Sequence, residues 1–429
     1  MSERYKNSEA LLERALKTVP LGSQTFSKSK TQLPLGISPY FAERGDGAYL
    51  FDIDGNKYID FMNSLLSITL GYNDQDVVNA VKEQLDKGTI FSLASELEVQ
   101  VAEKICEMVP CADMVRFGKN GSDATAGAIR VARAYTKKEH VLVCGYHGWQ
   151  DWYIGSTPRN MGVPKSTSDL THTFSYNDIE SLEKLLEEFE GEVAAVILEP
   201  VNVVAPENNF LGKVKELTHR HNAVLVFDET ITGFRYSNGG AQELFGVTPD
   251  LATFGKGLAN GYPVSAVAGK REIMVLMEEI FFSFTFGGET LSLAASLATL
   301  NKLQNEPVLE TIKDTGTYLM ESLSNKIGAH NLSHIFSVAG YPVWSFIISK
   351  DTDYATMWEV KTLMQQEMLE NGMFMIGTHN MSYAHTKDHV DKLMQAYESF
   401  FTKMKQAEKD KDIKQFMKSE PLVNLFKVR

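Results

Sequence analysis

The sequence predicts an α/β protein, a mostly parallel β-sheet flanked by helices, with a smaller α+β domain beside it. Two patterns carry this reading. From Met114 onward short apolar runs alternate with amphipathic stretches, and after about residue 300 the helices lengthen while the strands thin. Length supplies a third observation, because 429 residues suit two or three compact units rather than one.

Taken in order, the first segment, MSERYKNSEALLERALKTVP, is charged and helix-patterned and lacks the apolar centre of a signal peptide. GAYLFDIDGNKYIDF (residues 47–61) alternates apolar positions around Asp54-Gly55 and reads as a β-hairpin. Helical periodicity follows in DQDVVNAVKEQLDKG and in ASELEVQVAEKICEMVP, the second stopped by Pro110. Next come the apolar runs VLVC (141–144), VAAVIL (193–198), AVLVF (223–227), LATF (251–254) and VSAVAG (264–269). Between several of them lie helical stretches such as ATAGAIRVARAYT, IESLEKLLEEFE and KVKELTHRH. Unbroken β-branched runs alternating with helices indicate strands covered on both faces. The later strands are VWSFIIS and FMIG, and the charged run KQAEKDKDIKQ reads as a solvated helix face. The expected organisation is an N-terminal segment (1–60) belonging to the small domain, a large α/β domain (61–300) and a small C-terminal domain (301–429).

Composition excludes several classes. The formal net charge of -13 argues against nucleic acid or an anionic membrane as the main partner. No apolar run approaches the roughly 20 residues that span a bilayer. Three cysteines, Cys106, Cys111 and Cys144, suit a reducing cytoplasm, and no pair has zinc-site spacing, so no metal is expected. No G-x-S-x-G elbow marks a serine hydrolase.

In open α/β sheets ligands bind beyond the carboxyl ends of the strands. Four segments fall there. In FGKNGSDATAGAIRVARAYT, Asn120-Gly121-Ser122 precedes a helix, so free N–H groups and the positive helix end form an anion cradle; alone, the segment is equally a plain N-cap. In GYHGWQDWY, Tyr146 offers a flat ring for stacking on a heteroaromatic group, and His147 is either a base or a structural residue. In AVLVFDETITGFR, Asp228 ends an apolar strand and needs a positive partner, either a protonated pyridine nitrogen or an arginine such as Arg235. In LATFGKGLANGYPVSAVAG, Lys256 stands between two glycines just past a strand, where an amine can form a Schiff base. Cradle, stacking ring, pyridinium partner and Schiff-base lysine, in that chain order, are the parts a pyridoxal-phosphate (PLP) site needs.

Together these segments resemble the class III aminotransferases, nearest the glutamate-1-semialdehyde 2,1-aminomutase branch; DETITGFR followed by FGKGLANGYPVSAVAGK is the most specific stretch. The resemblance implies PLP fold type I, with a seven-stranded sheet, a homodimer and a shared active site. It implies that Lys256 carries the cofactor, Asp228 binds the pyridine nitrogen, Tyr146 stacks, and Asn120, Gly121 and Ser122 hold the phosphate. It also implies that Thr285, in FTFGGET, reaches the phosphate of the neighbouring subunit. Three positions depart from the family. Thr230 stands where a valine usually packs on the ring. GSQTFSKSK replaces the aminomutase Ser-Pro-Val-Arg run, with Phe26 at about the arginine position, and Gly377 stands where a glutamate is usual.

The expected activity is transfer of an amino group from an amino-acid donor, taken as L-glutamate, to a ketone or aldehyde. Ser23, Gln24, Thr25, Asn63, Ser64, Trp149, Tyr153, Asn202 and His379 are the candidate lining, and their hydroxyls and amides suit a keto-sugar or small sugar phosphate. The alternatives are an intramolecular aminomutase, a racemase or other PLP chemistry on the same scaffold, and, from another class, a non-catalytic binding protein. The last would have eroded Lys256, Asp228 or the cradle, and all are present.

Overall fold

The computed structural model describes residues 3–423 of the chain. They form two compact units: Gln75–Leu309, and a second built from both chain ends, up to Asp74 and from Glu310 onward. These boundaries lie later than the expected 60/61 and 300/301. Residues 61–74 stay with the N-terminal hairpin because the backbone amides of Met62 and Asn63 donate to Asp60 (2.7 and 3.2 Å) and that of Tyr383 donates to Thr69 O (2.8 Å). Helix Thr290–Asn305 stays with the large unit, packed on helix Gln75–Leu85.

The large unit is organised by seven strands: β1 (Met114–Gly118), β2 (His140–Cys144), β3 (Thr171–Thr173), β4 (Val193–Leu198), β5 (Val224–Asp228), β6 (Leu251–Phe254) and β7 (Ser265–Gly269). They lie in the order β1-β7-β6-β5-β4-β2-β3. β7 alone runs antiparallel, to both β1 and β6; the other pairs are parallel. A parallel neighbour needs a crossover helix, and between β6 and β7 the chain makes only the short 3-10 turn Lys256–Ala259.

The unbroken apolar runs follow from cover on both faces. Val141, Val143, Ala195, Ile197, Val224 and Val226 pack with Ala128, Ile129 and Ala132 of helix Gly121–Thr136. The alternate residues Leu142, Val196, Leu198, Leu225 and Phe227 pack on the opposite face with Leu182, Leu186, Val214 and Leu217 of helices Ile179–Glu188 and Phe210–Arg220. Every residue of β4 and β5 is buried. Truncating one of these, as in Ile197→Ala, costs about 2–5 kcal/mol. Cys111 and Cys144 are buried and Cys106 half-buried; burial raises the Cys144 thiol to about 12. No helix among the described residues is long and apolar enough to cross a membrane.

In the small unit the hairpin forms as the Asp54-Gly55 signal predicts. Tyr49–Asp52 runs antiparallel to Lys57–Asp60, and Gly55 (φ +82°) donates to Asp52 O at 3.1 Å. The short strand Met373–Phe374 adds in parallel to Lys57–Asp60, so one sheet joins segments that precede and follow the large unit. Phe336–Tyr341, Trp344–Ser349 and Thr378–Asn380 make a second sheet. Between Asp60 and Tyr72 the chain takes a left-handed turn: Asn63, Ser64, Leu65 and Leu66 have φ of 45, 47, 60 and 69°. Each such residue costs roughly 1–2 kcal/mol, and Asp60 and Asn380 hold the turn by bonding Met62 and Asn63.

At the sheet edge His140 Nδ1 lies 2.9 Å from His172 Nε2, with Phe189 stacked on both rings. One ring must stay neutral to accept. Burial, then the charge of His140, holds His172 below its ordinary pKa. A depressed histidine disfavours the protonated form in the fold, so stability is lost as pH falls below the unfolded value of about 6.5. His172→Gln is expected to flatten the decline in melting temperature between pH 7.5 and 5.5; thermal melts across that range check this, and an unchanged slope would refute it.

Candidate active site

Five strand ends converge on one cavity of about 170 Å3 in the large unit. Asn120, after β1, caps helix Gly121–Thr136; Tyr146 and His147 follow β2, Glu199 follows β4, Asp228 ends β5 and Lys256 follows β6. An apolar cavity of about 150 Å3 accepts benzene, so the space suits a single aromatic ring.

The cradle is built first. Asp123 accepts from the backbone amides of Asn120 (2.7 Å) and Lys119 (3.2 Å), which fixes the turn into the helix. The first helical N–H groups, from Gly121 and Ser122, have no intrahelical acceptor and face an anion by default. The approach is too close for side chains. A Cβ on Gly121 would lie 2.8 Å from Thr230 Cγ2, and one on Gly148, whose φ is +104°, would lie 2.6 Å from Ser122 Cβ.

Asp228 is only 4% exposed. One carboxylate oxygen lies 2.8 Å from His147 Nδ1, and the other accepts from Thr253 Oγ1 and the Thr230 amide, both at 3.1 Å. Burial alone would raise this carboxyl. The hydrogen bond and charge of His147, with the Thr230 donors, outweigh burial and hold it below its ordinary value. The partner is therefore His147, not Arg235. His147 is itself buried; its carbonyl accepts from Thr125 Oγ1 (2.8 Å), and its Nε2 has no hydrogen-bond partner. Trp152 stacks on its ring and Tyr153 meets it edge-on.

Tyr146 borders the cavity, its amide donating to Glu199 at 3.1 Å. Lys256 borders it at φ +45°, a left-handed conformation that is costly for lysine and is found where a side chain must be aimed. Trp149, 65% exposed, stands at the rim.

Other expected residues lie elsewhere. Tyr153 is 1% exposed, bonds Gly145 O at 2.8 Å and buttresses Tyr146 edge-on, so it does not line the cavity. Asn202 is half-buried, turned onto the Val203 amide, and also outside it. His379 is a core residue: fully buried between Ser345 and Tyr397, and driven by burial to a pKa of about 3. Asn63 is likewise buried and donates to Asn380 O. Ser23 and Ser64 border a separate cavity of about 530 Å3 within the small unit, where Lys28 Nζ donates to Ser64 (3.2 Å). Thr25 is exposed and caps the turn Phe26–Lys28, and Gln24 is exposed too. Thr285 is exposed and does not border the cavity of its own chain. Glu199 was missed, although the argument that singled out Asp228, a carboxylate closing an apolar strand, applies equally to it.

Free amides at a helix N-terminus, a tyrosine ring, a carboxylate held ionised and a lysine around one cavity fit PLP; Asn120, Gly121, Ser122, Tyr146, Asp228 and Lys256 would hold it. Fold and site are those of a PLP-dependent enzyme of the aminotransferase kind, and the chain belongs to the class III aminotransferase family, whose model matches residues 34–401. It is 36% identical to glutamate-1-semialdehyde 2,1-aminomutase 2 of Lachnoclostridium phytofermentans, over 92% of this chain and 98% of that one. It is 34% identical to 3-aminobutyryl-CoA aminotransferase of Cloacimonas acidaminovorans, over 94% and 99%. Among solved structures it is similar to the FumI protein of Sphingopyxis sp. MTA144, with a TM-score of 0.87 and 29% identity over 94% of this chain and 98% of that one.

Gly148→Ala forces a Cβ both into Ser122 and into a left-handed conformation. The expected result is a PLP dissociation constant raised roughly tenfold or more, read by absorbance titration; unchanged affinity would separate this loop from the cradle.

Proposed function

We propose that this chain is an aminotransferase that moves an amino group from L-glutamate to a ketone or aldehyde acceptor, with Lys256 as the proton carrier. The observation that carries this reading is Asp228, held ionised in the interior at the edge of the cavity that Lys256 borders. PLP, when bound, supplies the electron sink for labilising the donor's Cα–H bond. Asp228, held ionised and fixed by His147, would keep a proton on the heterocyclic nitrogen. Tyr146 would cover the ring, and the cradle amides of Gly121 and Ser122 would hold the phosphate. Lys256, which borders the cavity, would serve as the group that takes up and gives back the donor's proton, as base and then acid.

The keto-sugar acceptor keeps less support than the transfer itself, because Asn63, Tyr153 and His379 are buried and Asn202 is turned away. The aminomutase reading is favoured by the 36% identical relative of that name. Against it stands the exposed phenylalanine Phe26 at about the place of the carboxylate-binding arginine, since such a clamp is a strong oriented contact. A homodimer belongs to the proposal. Phe281, Phe284 and Phe286 flank Thr285 on an exposed turn, and Phe91 and Leu93 are exposed as well, an apolar surface of the kind that marks an interface.

The test uses the PLP-loaded protein. L-Glutamate is expected to bleach its visible band, and 2-oxoglutarate to restore it, while Lys256→Ala does neither. If no amino acid changes the band but an amino-aldehyde turns over alone, the aminomutase reading replaces this one. A protein that takes up no PLP would remove both.

A further inference from the structure

Resting on the reading that Tyr146 covers the cofactor ring, the loop that carries this tyrosine contains a joint that has to be locked. Gly145, directly before it, has φ +106°, a conformation glycine takes readily and other residues do not. That freedom makes the Gly145–Tyr146 peptide the link whose rotation would swing the Tyr146 ring. Further along the loop is tied. His147 is bonded to Asp228 through Nδ1 and to Thr125 through its carbonyl, and Gly148 is pressed on Ser122.

The peptide at the joint is gripped at both of its polar atoms. The Tyr153 hydroxyl donates to the Gly145 carbonyl at 2.8 Å, and the Tyr146 amide donates to Glu199 Oε2 at 3.1 Å. Both side chains that hold it are buried. Glu199 is itself firmly based. It follows Leu198, which pairs with Cys144 across β4 and β2, and its own amide donates to Cys144 O at 3.2 Å. Pro200 comes next and biases Glu199 to an extended backbone, while the Pro200 carbonyl accepts from the Tyr176 hydroxyl at 2.7 Å. The carboxylate lies directly against the joint: a Cβ on Gly145 would stand 2.6 Å from Oε2 and 3.0 Å from Cγ.

We propose that Glu199 is a positioning residue of the amino-transfer site, which locks the Gly145 joint and so fixes the Tyr146 ring against the cofactor. Its action passes through Tyr146, and what the role needs at position 199 is a hydrogen-bond acceptor of the right reach. Glu199 and Tyr153 divide the work, one on each side of the same peptide plane.

The lock is read first in the apo protein. Glu199→Met fills the space and removes the acceptor, whereas Glu199→Gln keeps one. Hydrogen exchange of the Tyr146 amide is expected to quicken roughly tenfold or more in Glu199→Met and to follow wild type in Glu199→Gln. The PLP dissociation constant is then titrated by absorbance in a cycle with Tyr146→Ala. Each of Glu199→Met and Tyr146→Ala is expected to raise it roughly tenfold, and the double variant no further, because both remove the same ordered ring. Should Glu199→Met not fold, Glu199→Ser, too short to reach the amide, takes its place. Unchanged exchange at Tyr146 would overturn the lock. Affinity losses that add in the double variant would overturn action through Tyr146, and Glu199→Gln matching Glu199→Met would assign the effect to charge instead. Wild type that takes up no PLP, yet shows the expected exchange pattern, would sink the parent reading and the positioning role while the lock itself stands.

Discussion

The site depends on keeping one carboxylate charged where almost no water reaches it. An isolated buried charge costs several kcal/mol, so Asp228 has to be answered by donors, and each donor has to be fixed in turn. His147 answers one oxygen. Its own position is set by Thr125 on its carbonyl and by Trp152 and Tyr153 against its ring. Tyr153 is tied by its hydroxyl to Gly145, at the start of the same loop. Thr253, on the neighbouring strand, answers the other oxygen. The loop after β2, the end of β5 and the middle of β6 are therefore one assembly.

This assembly explains what was legible in the sequence. β2, β4, β5 and β6 stood out because both of their faces are covered, which turns alternation into an unbroken apolar run. β1 and β3 did not: Arg116 interrupts the first, and the second is the three-residue edge segment Thr171–Thr173. The cavity residues were legible because strand ends are few and polar groups there need a reason. Tyr153 and His379 misled for a physical cause. An aromatic residue with a polar tip looks alike whether that tip meets a ligand, as at a cavity wall, or a neighbouring hydroxyl or carbonyl, as here. Arg235 misled in the opposite sense, since proximity in sequence to Asp228 says nothing of which partner burial selects.

The small unit was less legible because its contacts are distant in sequence. Nothing local in FMNSLL announces four successive left-handed residues. They are held by Asp60 and by Asn380, which stands more than three hundred positions away. The same holds for the boundary of that unit, which follows the hydrogen bonds of residues 61–74 and not a shift in composition. Strain of this kind persists only where the surroundings over-determine it.

The sheet that joins segments before and after the large unit bears on how the protein is made. During translation the large unit emerges as one continuous stretch and can close as soon as Leu309 has left the ribosome. The strand Lys57–Asp60 has to wait for Met373–Phe374. At the usual pace of about 5–20 residues per second, that delay is roughly a quarter of a minute to a minute. Throughout it the strand carries an unpaired edge. A charged residue at each of its ends, Lys57 and Asp60, suits a segment that must stay unattached until its partner is synthesised.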